Sequence, residues 1–317
     1  MKYIKDMQSG DRISGIYLCK SRNAAVTKTG KPYDNVVLQD KTGMIDAKVW
    51  EPNSDGIGEF DAMDYVDVFG EVTVFNGALQ LSIKRARTCR EGEYNPSDYL
   101  PVSEQSNDEM FAALLQLMDS VGNSHLRALL SAIFVEDQTF AKKFRLSSAA
   151  KTMHHAFIGG LLEHTLSVAR LCDHFSRTYP FLNRDLLVSA AILHDIGKTR
   201  ELSPFPQNDY TDAGQFLGHI VIGTMMIEQK AQALPSFPPL LLQELQHCIL
   251  AHHGEYEYGS PKKPAIAEAV ALNLADNTDA KMEMMKELQQ KSTEPGWQGF
   301  NRTFESNLFL TRVEEKN

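Results

Sequence analysis

Several things are scarce in this chain of 317 residues, and each absence narrows the reading. There is no apolar run long enough to cross a bilayer, which argues against a membrane-spanning helix. The opening Met1-Lys2-Tyr3-Ile4-Lys5-Asp6 lacks the hydrophobic stretch of a secretory signal, so the expected location is the cytoplasm. Cysteine is sparse: Cys19, Cys89, Cys172 and Cys248 have no paired spacing, which speaks against a zinc ribbon or a disulfide framework and reads as ordinary buried or half-buried thiols. Basic charge is also short. The net charge of −9 gives no global attraction for a polyanion, so nucleic-acid binding would need local basic stripes or cations held by carboxylates. No internal repeat and no low-complexity tract interrupts the chain.

What is present changes character along the chain. The first ninety or so residues read as strands. Ile13, Gly15, Tyr17 and Cys19 alternate with polar neighbours, and Asn35–Gln39 is β-rich. Asp40-Lys41-Thr42-Gly43 turns into Met44–Trp50. Tyr65–Phe75 leads through Asn76-Gly77, a strong hairpin signal, into Leu79–Ile83. Five short strands of this kind predict a small closed barrel, with the oligonucleotide/oligosaccharide-binding (OB) fold leading and an SH3-like barrel the alternative.

Residues 93–108, with Pro96, Pro101 and scattered serines, read as a linker after a barrel over residues 1–92. The pattern then turns helical. Ser106 to Glu109 can cap a helix carrying Met110, Leu114, Leu117 and Met118, and helical periods continue to about residue 292. The expected fold class is therefore α+β, a barrel domain followed by an all-α bundle over 109–292. The aromatic, irregular tail 293–317 is expected to pack on that bundle.

All ten histidines fall between His125 and His253. His164 shares a helical stripe with Leu161, Val168 and Leu171. His194 follows Leu187, Ala190 and Ala191; His219 lines up with Phe216, Ile222 and Met226; Asp276 shares a face with Ala269, Leu272 and Ala280. A single histidine on an apolar stripe is usually a hydrogen-bonded core residue. Several on different helices, joined by a carboxylate that is costly to bury alone, point instead to a shared cation. His194-Asp195 and His252-His253 each stand before a glycine, at helix C-termini where the negative end of the helix dipole favours a cation. Gly197 is expected to take the left-handed cap there.

The ordered series Gly159–Thr165, His194-Asp195-Ile196-Gly197-Lys198, Gly218-His219, His252-His253-Gly254 and Ala275-Asp276-Asn277 resembles the HD-domain phosphohydrolases. The flanks Ala149–His155 and Tyr210–Gly214 fit the same pattern. With a barrel in front, the whole chain resembles the YhaM family of 3′–5′ exoribonucleases. That resemblance implies a first metal held by His164, His194, Asp195 and Asp276, and a second completed by His219, His252 and His253, with Asp195 bridging.

One or two ions are implied, with Mn²⁺ the family's metal and Fe, Co, Zn or Ni suited to the same donors. Asp195 and Lys198 are the candidate catalytic pair, although Lys198 also reads as a helix-terminal surface lysine. His154 and His155 are candidate phosphate contacts or purely structural, and Glu163 caps or orients its neighbour. On the barrel, Tyr17, Tyr33, Trp50 and Phe75 are candidate stacking platforms, and Lys84, Arg85 and Arg87 form the best local basic patch. The expected partner is single-stranded RNA, or DNA, with no membrane, and assembly into homo-oligomers stays open. The rival readings are a nucleotide or cyclic-nucleotide phosphohydrolase and a non-catalytic nucleic-acid-binding regulator.

Overall fold

The computed structural model describes residues 1–100, 102–151, 155–292 and 294–311, the side chain of Lys291 excepted. The chain divides into two units, Met1–Val102 with Pro204–Gln207, and Ser103–Ser203 with Asn208–Asn317.

The first unit is built from β1 (Arg12–Val26), β2 (Pro32–Asp40), β3 (Gly43–Val49), β4 (Tyr65–Phe75) and β5 (Ala78–Thr88). They close into a barrel in the order β1-β2-β3-β5-β4, with β3 and β5 parallel and the other pairs antiparallel. That order is the OB arrangement, which removes the SH3-like alternative.

The long β1 serves both sides of the closure. Arg12–Leu18 pairs with β4, and Leu18–Val26 pairs with β2, the register slipping between Cys19 and Ser21. A bulge there lets one strand bend around the barrel. Its second half is polar and outward-facing, so hydrophobic alternation stops before the strand does. Asn76 and Gly77 both have positive φ (49° and 82°), the geometry of a two-residue hairpin turn that follows the strand twist. The interior is filled by Ile13, Tyr17, Val36, Leu38, Ala47, Val68, Leu81 and Ile83.

Most of the stretch read as a linker belongs to one unit or the other. Tyr94 stacks on Tyr65 at 3.7 Å between ring centroids and Tyr99 packs edge-on, while the Ser103 hydroxyl donates to Glu163 in the second unit. Proline and serine content suggested a linker because it does not register what the tyrosines cover.

The second unit comprises α1 (Asn107–Asp119), α2 (Ser124–Phe134), α3 (Gln138–Leu146), α4 (Gly160–Thr178), α5 (Arg184–Leu193), α6 (Lys198–Glu201), α7 (Asp212–Gln232), α8 (Pro239–Ala251) and α9 (Ala267–Lys291). Ser106 caps α1 by accepting from Glu109 N–H. Of the stripe partners of the histidines and Asp276, Leu161, Val168, Leu187, Ala190, Ala191, Ile222, Met226, Ala269 and Leu272 lie in its core, and Leu171 and Ala280 are half-buried.

One stripe fails: Phe216 is 85% exposed, because α7 breaks at Gly218 (φ 69°, ψ 159°) and residues before the kink do not share the face that follows. The tail forms a two-stranded antiparallel sheet, β6 (Gly296–Asn301) and β7 (Ser306–Leu310). Of its aromatics, Trp297 and Phe300 are 73% and 65% exposed, whereas Phe304 is half-buried. Among the described residues no helix is long and apolar enough to cross a membrane.

Candidate metal centre

Five helices of the second unit bring their chemistry to Asp195. The α5 helix ends at Leu193, so His194 and Asp195 follow as the chain leaves the helix and both can face inward. Asp195 is 1% exposed. Its Oδ2 lies 3.4 Å from His164 Nε2 on α4 and 3.3 Å from His194 Nε2. Its Oδ1 lies 3.4 Å from His219 Nε2 on α7 and 3.8 Å from His252 Nε2 at the end of α8. Asp276 on α9 completes the first side, its Oδ1 3.1 Å from His164 Nε2 and 3.9 Å from His194 Nε2. The rings of His219, His252 and His253 gather on the other side, with ligand atoms within 4.8 Å of one another. The seven residues expected as ligands are thus brought together around one carboxylate.

Each imidazole is held by its far nitrogen. His194 Nδ1 donates to Ala191 O at 2.7 Å and His252 Nδ1 to Ile249 O at 2.6 Å, the same i−3 bond at two helix ends. His253 Nδ1 donates to Tyr258 O at 2.8 Å, His219 Nδ1 to Glu201 at 3.1 Å, and His164 Nδ1 to Asp279 at 2.7 Å. Placing the proton on Nδ1 leaves the Nε2 lone pairs pointing inward, the arrangement metal-binding histidines take. Among the described residues, Asp195 Oδ1 and the Nε2 atoms of His219 and His252 are buried without a hydrogen-bond partner. Polar atoms so placed are costly unless something else satisfies them, and two imidazoles with a carboxylate form a donor set for a divalent cation. The residues therefore fit a metal.

Burial alone would lower His164, but Asp195, Asp276 and Asp279 hold it well above an ordinary imidazole, so these carboxylates keep a positive charge at the place a cation would occupy. Burial alone would raise the Asp195 carboxyl, but Lys198 and the neighbouring histidines hold it well below the ordinary range. Asp276 is lowered in the same way by His164, against its burial. Burial, reinforced by His253 and His194, keeps His252 well below an ordinary imidazole, and His253 is lowered too, so both favour the neutral, ligating form.

Lys198 is no surface residue: its side chain is 16% exposed and Nζ sits 2.6 Å from Asp195 Oδ2. Gly197 is not left-handed (φ −62°) but lies where a Cβ would come within 2.0 Å of His219 O, so glycine permits the close approach between the His194–Asp195 segment and α7. Gly254, after His253, does take φ 79°.

Two positioning residues were not anticipated. Asp279 accepts from His164 Nδ1 and from the Ser167 hydroxyl, and Glu201 accepts from both His219 Nδ1 and its backbone N–H. Asp279 had a signal, since it stands three residues after Asp276 and so shares its helical face. Glu201 had none, because the kink that brings His219 to it is a tertiary feature. His155 is buried beside Asp279 at 3.2 Å, its ring 5.4 Å from that of His164; His154 lies outside the described residues. A cleft of about 700 Å³ opens on the centre, lined by His164, Lys198, His253, Asp276, Lys281 and Thr303 among others.

The barrel residues divide. Tyr33 stacks on Trp50 at 5.2 Å, with Lys48 Nζ 5.5 Å from the Tyr33 ring, and Trp50 is 46% exposed. Tyr17 is fully buried and donates to Lys2 O, so it is core. Lys84 and Arg85 are exposed on β5, whereas Arg87 is engaged by Asp67 and Glu93 and is not a free cation. Its partners come from β4 and from beyond β5, which the basic run itself does not reveal.

An OB barrel joined to a histidine–aspartate bundle of this kind defines a metal-dependent hydrolase of the HD class, and the HD-domain family model matches residues 161–281. The chain is 34% identical over 296 residues to "3′–5′ exoribonuclease YhaM" of Geobacillus sp. (strain WCH70), covering 93% of this chain and 90% of that protein. It belongs to the YhaM family of 3′–5′ exoribonucleases. Among solved structures, the second OB-fold domain of replication protein A from Methanococcus maripaludis matches 29% of this chain and 98% of its own, at 18% identity and TM-score 0.22. The HD domain of the L. monocytogenes phosphodiesterase PgpH matches 50% of this chain and 77% of its own, at 18% identity and TM-score 0.30.

Proposed function

We propose that this protein removes nucleotides one at a time from the 3′ end of single-stranded RNA, or of DNA, releasing nucleoside 5′-monophosphates. The observation that carries the reading is the convergence of two histidine groups on the two oxygens of Asp195. His164, His194, Asp195 and Asp276 would hold a first divalent ion; Asp195, His219, His252 and His253 would hold a second, with Mn²⁺ the metal the family suggests. When bound, such ions polarise the phosphate and lower the pKa of an attacking water.

The chain's own groups do the rest. Asp279, Glu201 and the carbonyls of Ala191, Ile249 and Tyr258 keep each proton on Nδ1 and each Nε2 turned inward. Lys198, beside Asp195, carries a fixed positive charge where a phosphodiester would develop extra negative charge. The exposed Trp50 ring, stacked on the half-buried Tyr33, offers a face on which bases stack, adding affinity for a strand.

The test is a gel of 5′-labelled single-stranded RNA with Mn²⁺. A ladder shortening stepwise from the 3′ end, abolished by chelation and by His194→Ala with Asp195→Ala, is expected; full activity in the double variant would overturn it. A parallel panel of DNA, a deoxynucleoside triphosphate and a cyclic nucleotide separates this reading from a mononucleotide phosphohydrolase.

A further inference from the structure

The C-terminal hairpin presents three aromatic rings to solvent on one face. Trp297 on β6 stands opposite Phe309 on β7, their rings edge to face at 5.2 Å. After the bulge between Trp297 and Gly299, Phe300 stands opposite Asn307, two residues from Phe309 and so on the same side of the sheet. Trp297, Phe300 and Phe309 are 73%, 65% and 48% exposed. A two-stranded sheet is marginal in water by itself, and an aromatic cluster left open on it marks an interaction surface.

The turn of the same hairpin supplies the second observation. Thr303 lines the catalytic cleft together with His164, Lys198 and Asp276, and the exposed Lys281 lines it too. The stretch from Asn301 back to Trp297 measures roughly 13 Å at about 3.3 Å per residue. The aromatic face therefore begins next to the place where the scissile phosphate would lie.

We propose that this face is a base-stacking platform for the single strand whose end occupies the cleft. The inference rests on the nuclease reading above. Continuity through Thr303 with the cleft read above as taking the phosphodiester, where the exposed Lys281 stands, favours a polyanion carrying flat bases over an apolar peptide or a second copy of the chain. Stacking on aromatic side chains tolerates any sequence, as an exonuclease advancing along its substrate requires.

The test compares the intact protein with Trp297→Ala/Phe300→Ala, two exposed positions whose truncation leaves the core untouched. Three probes are used: bis(p-nitrophenyl) phosphate and a dinucleotide with Mn²⁺, and a fluorescein-labelled oligoadenylate in chelator, where it is not shortened. Turnover of the small diester and the dinucleotide should be unchanged. The Kd for oligoadenylate, read by anisotropy, should rise about tenfold for each ring removed, and Trp297→Phe/Phe300→Tyr should restore it.

An unchanged Kd overturns the proposal. So does a raised Kd accompanied by a change in sedimentation coefficient, because the face would then join copies of the chain. If the unaltered protein hydrolyses the small diester but never shortens RNA, the nuclease reading fails, and the anisotropy still decides the platform.

Discussion

His164 Nδ1 donates to Asp279 Oδ2 at 2.7 Å, and Asp279 also accepts from the Ser167 hydroxyl. Asp279 holds the far nitrogen of His164 and would orient that ring as a metal ligand. Its carboxyl is lowered below the ordinary range by His155 and His164, despite burial, so it stays an acceptor at neutral pH. Asp279→Asn should lower metal affinity by about 10–100-fold, the range for such outer partners, with turnover recovered at saturating metal. Metal content by mass spectrometry and kcat at saturating Mn²⁺ check this; a loss of kcat that excess metal does not repair would argue against an orienting role.

Lys198 lies against Asp195 with little exposure. Lys198→Met keeps the volume and removes the charge. Turnover should fall by about 10²–10³, the scale of a lost electrostatic donor at a developing anion, while KM moves little. An equal loss appearing wholly in KM would mean that the ammonium only binds substrate.

Gly197→Ala places a methyl on the His219 carbonyl, which must give way because the obstacle is backbone. A cost of about 1–3 kcal/mol is expected for overpacking at such a point, measured by urea unfolding. Activity should drop further than stability, since the two sides of the centre are displaced relative to each other.

Trp50→Ala with Tyr33→Ala removes the stacked pair on the barrel surface. Affinity for a long strand should weaken by about tenfold for each lost stack, with dinucleotide turnover unaffected. Equal affinity for the long strand would assign the barrel another task.

Alkali should destabilise the protein through its buried acids. Burial pushes the Cys248 thiol from an ordinary 9.0 up to about 12, the Cys19 thiol up to about 11, and the Tyr99 hydroxyl from 10.0 up to about 12. With folded values above unfolded ones, the stability they contribute is complete below pH 9 and is lost as pH rises toward 12. Urea midpoints should be flat from pH 7 to 8.5 in chelator and fall between pH 9 and 11; a flat profile to pH 11 would contradict the burial of these groups.

The convergence of the candidate ligands could be read in the chain because they lie where local periodicity decides orientation. His164 and Asp276 occupy inward stripes of regular helices, and His194-Asp195 and His252-His253 sit where helices stop. Where periodicity is interrupted, sequence alone misleads: the spacing aligns Phe216 with His219 across a helix that breaks at Gly218. Tyr17 and Arg87 were read by residue type, whereas the barrel interior took the first and Asp67 and Glu93 the second.

The sequence by itself determined the elements and the donor types, since alternation, helical faces, caps and turn residues are short-range properties of the chain. Only the tertiary structure decided which oxygen of Asp195 faces which histidines, that Glu201 and Asp279 hold two of the rings, and that Thr303 of the tail borders the cleft. Those relations join residues on different helices or far apart along the chain, and they arise when the helices pack around their common core.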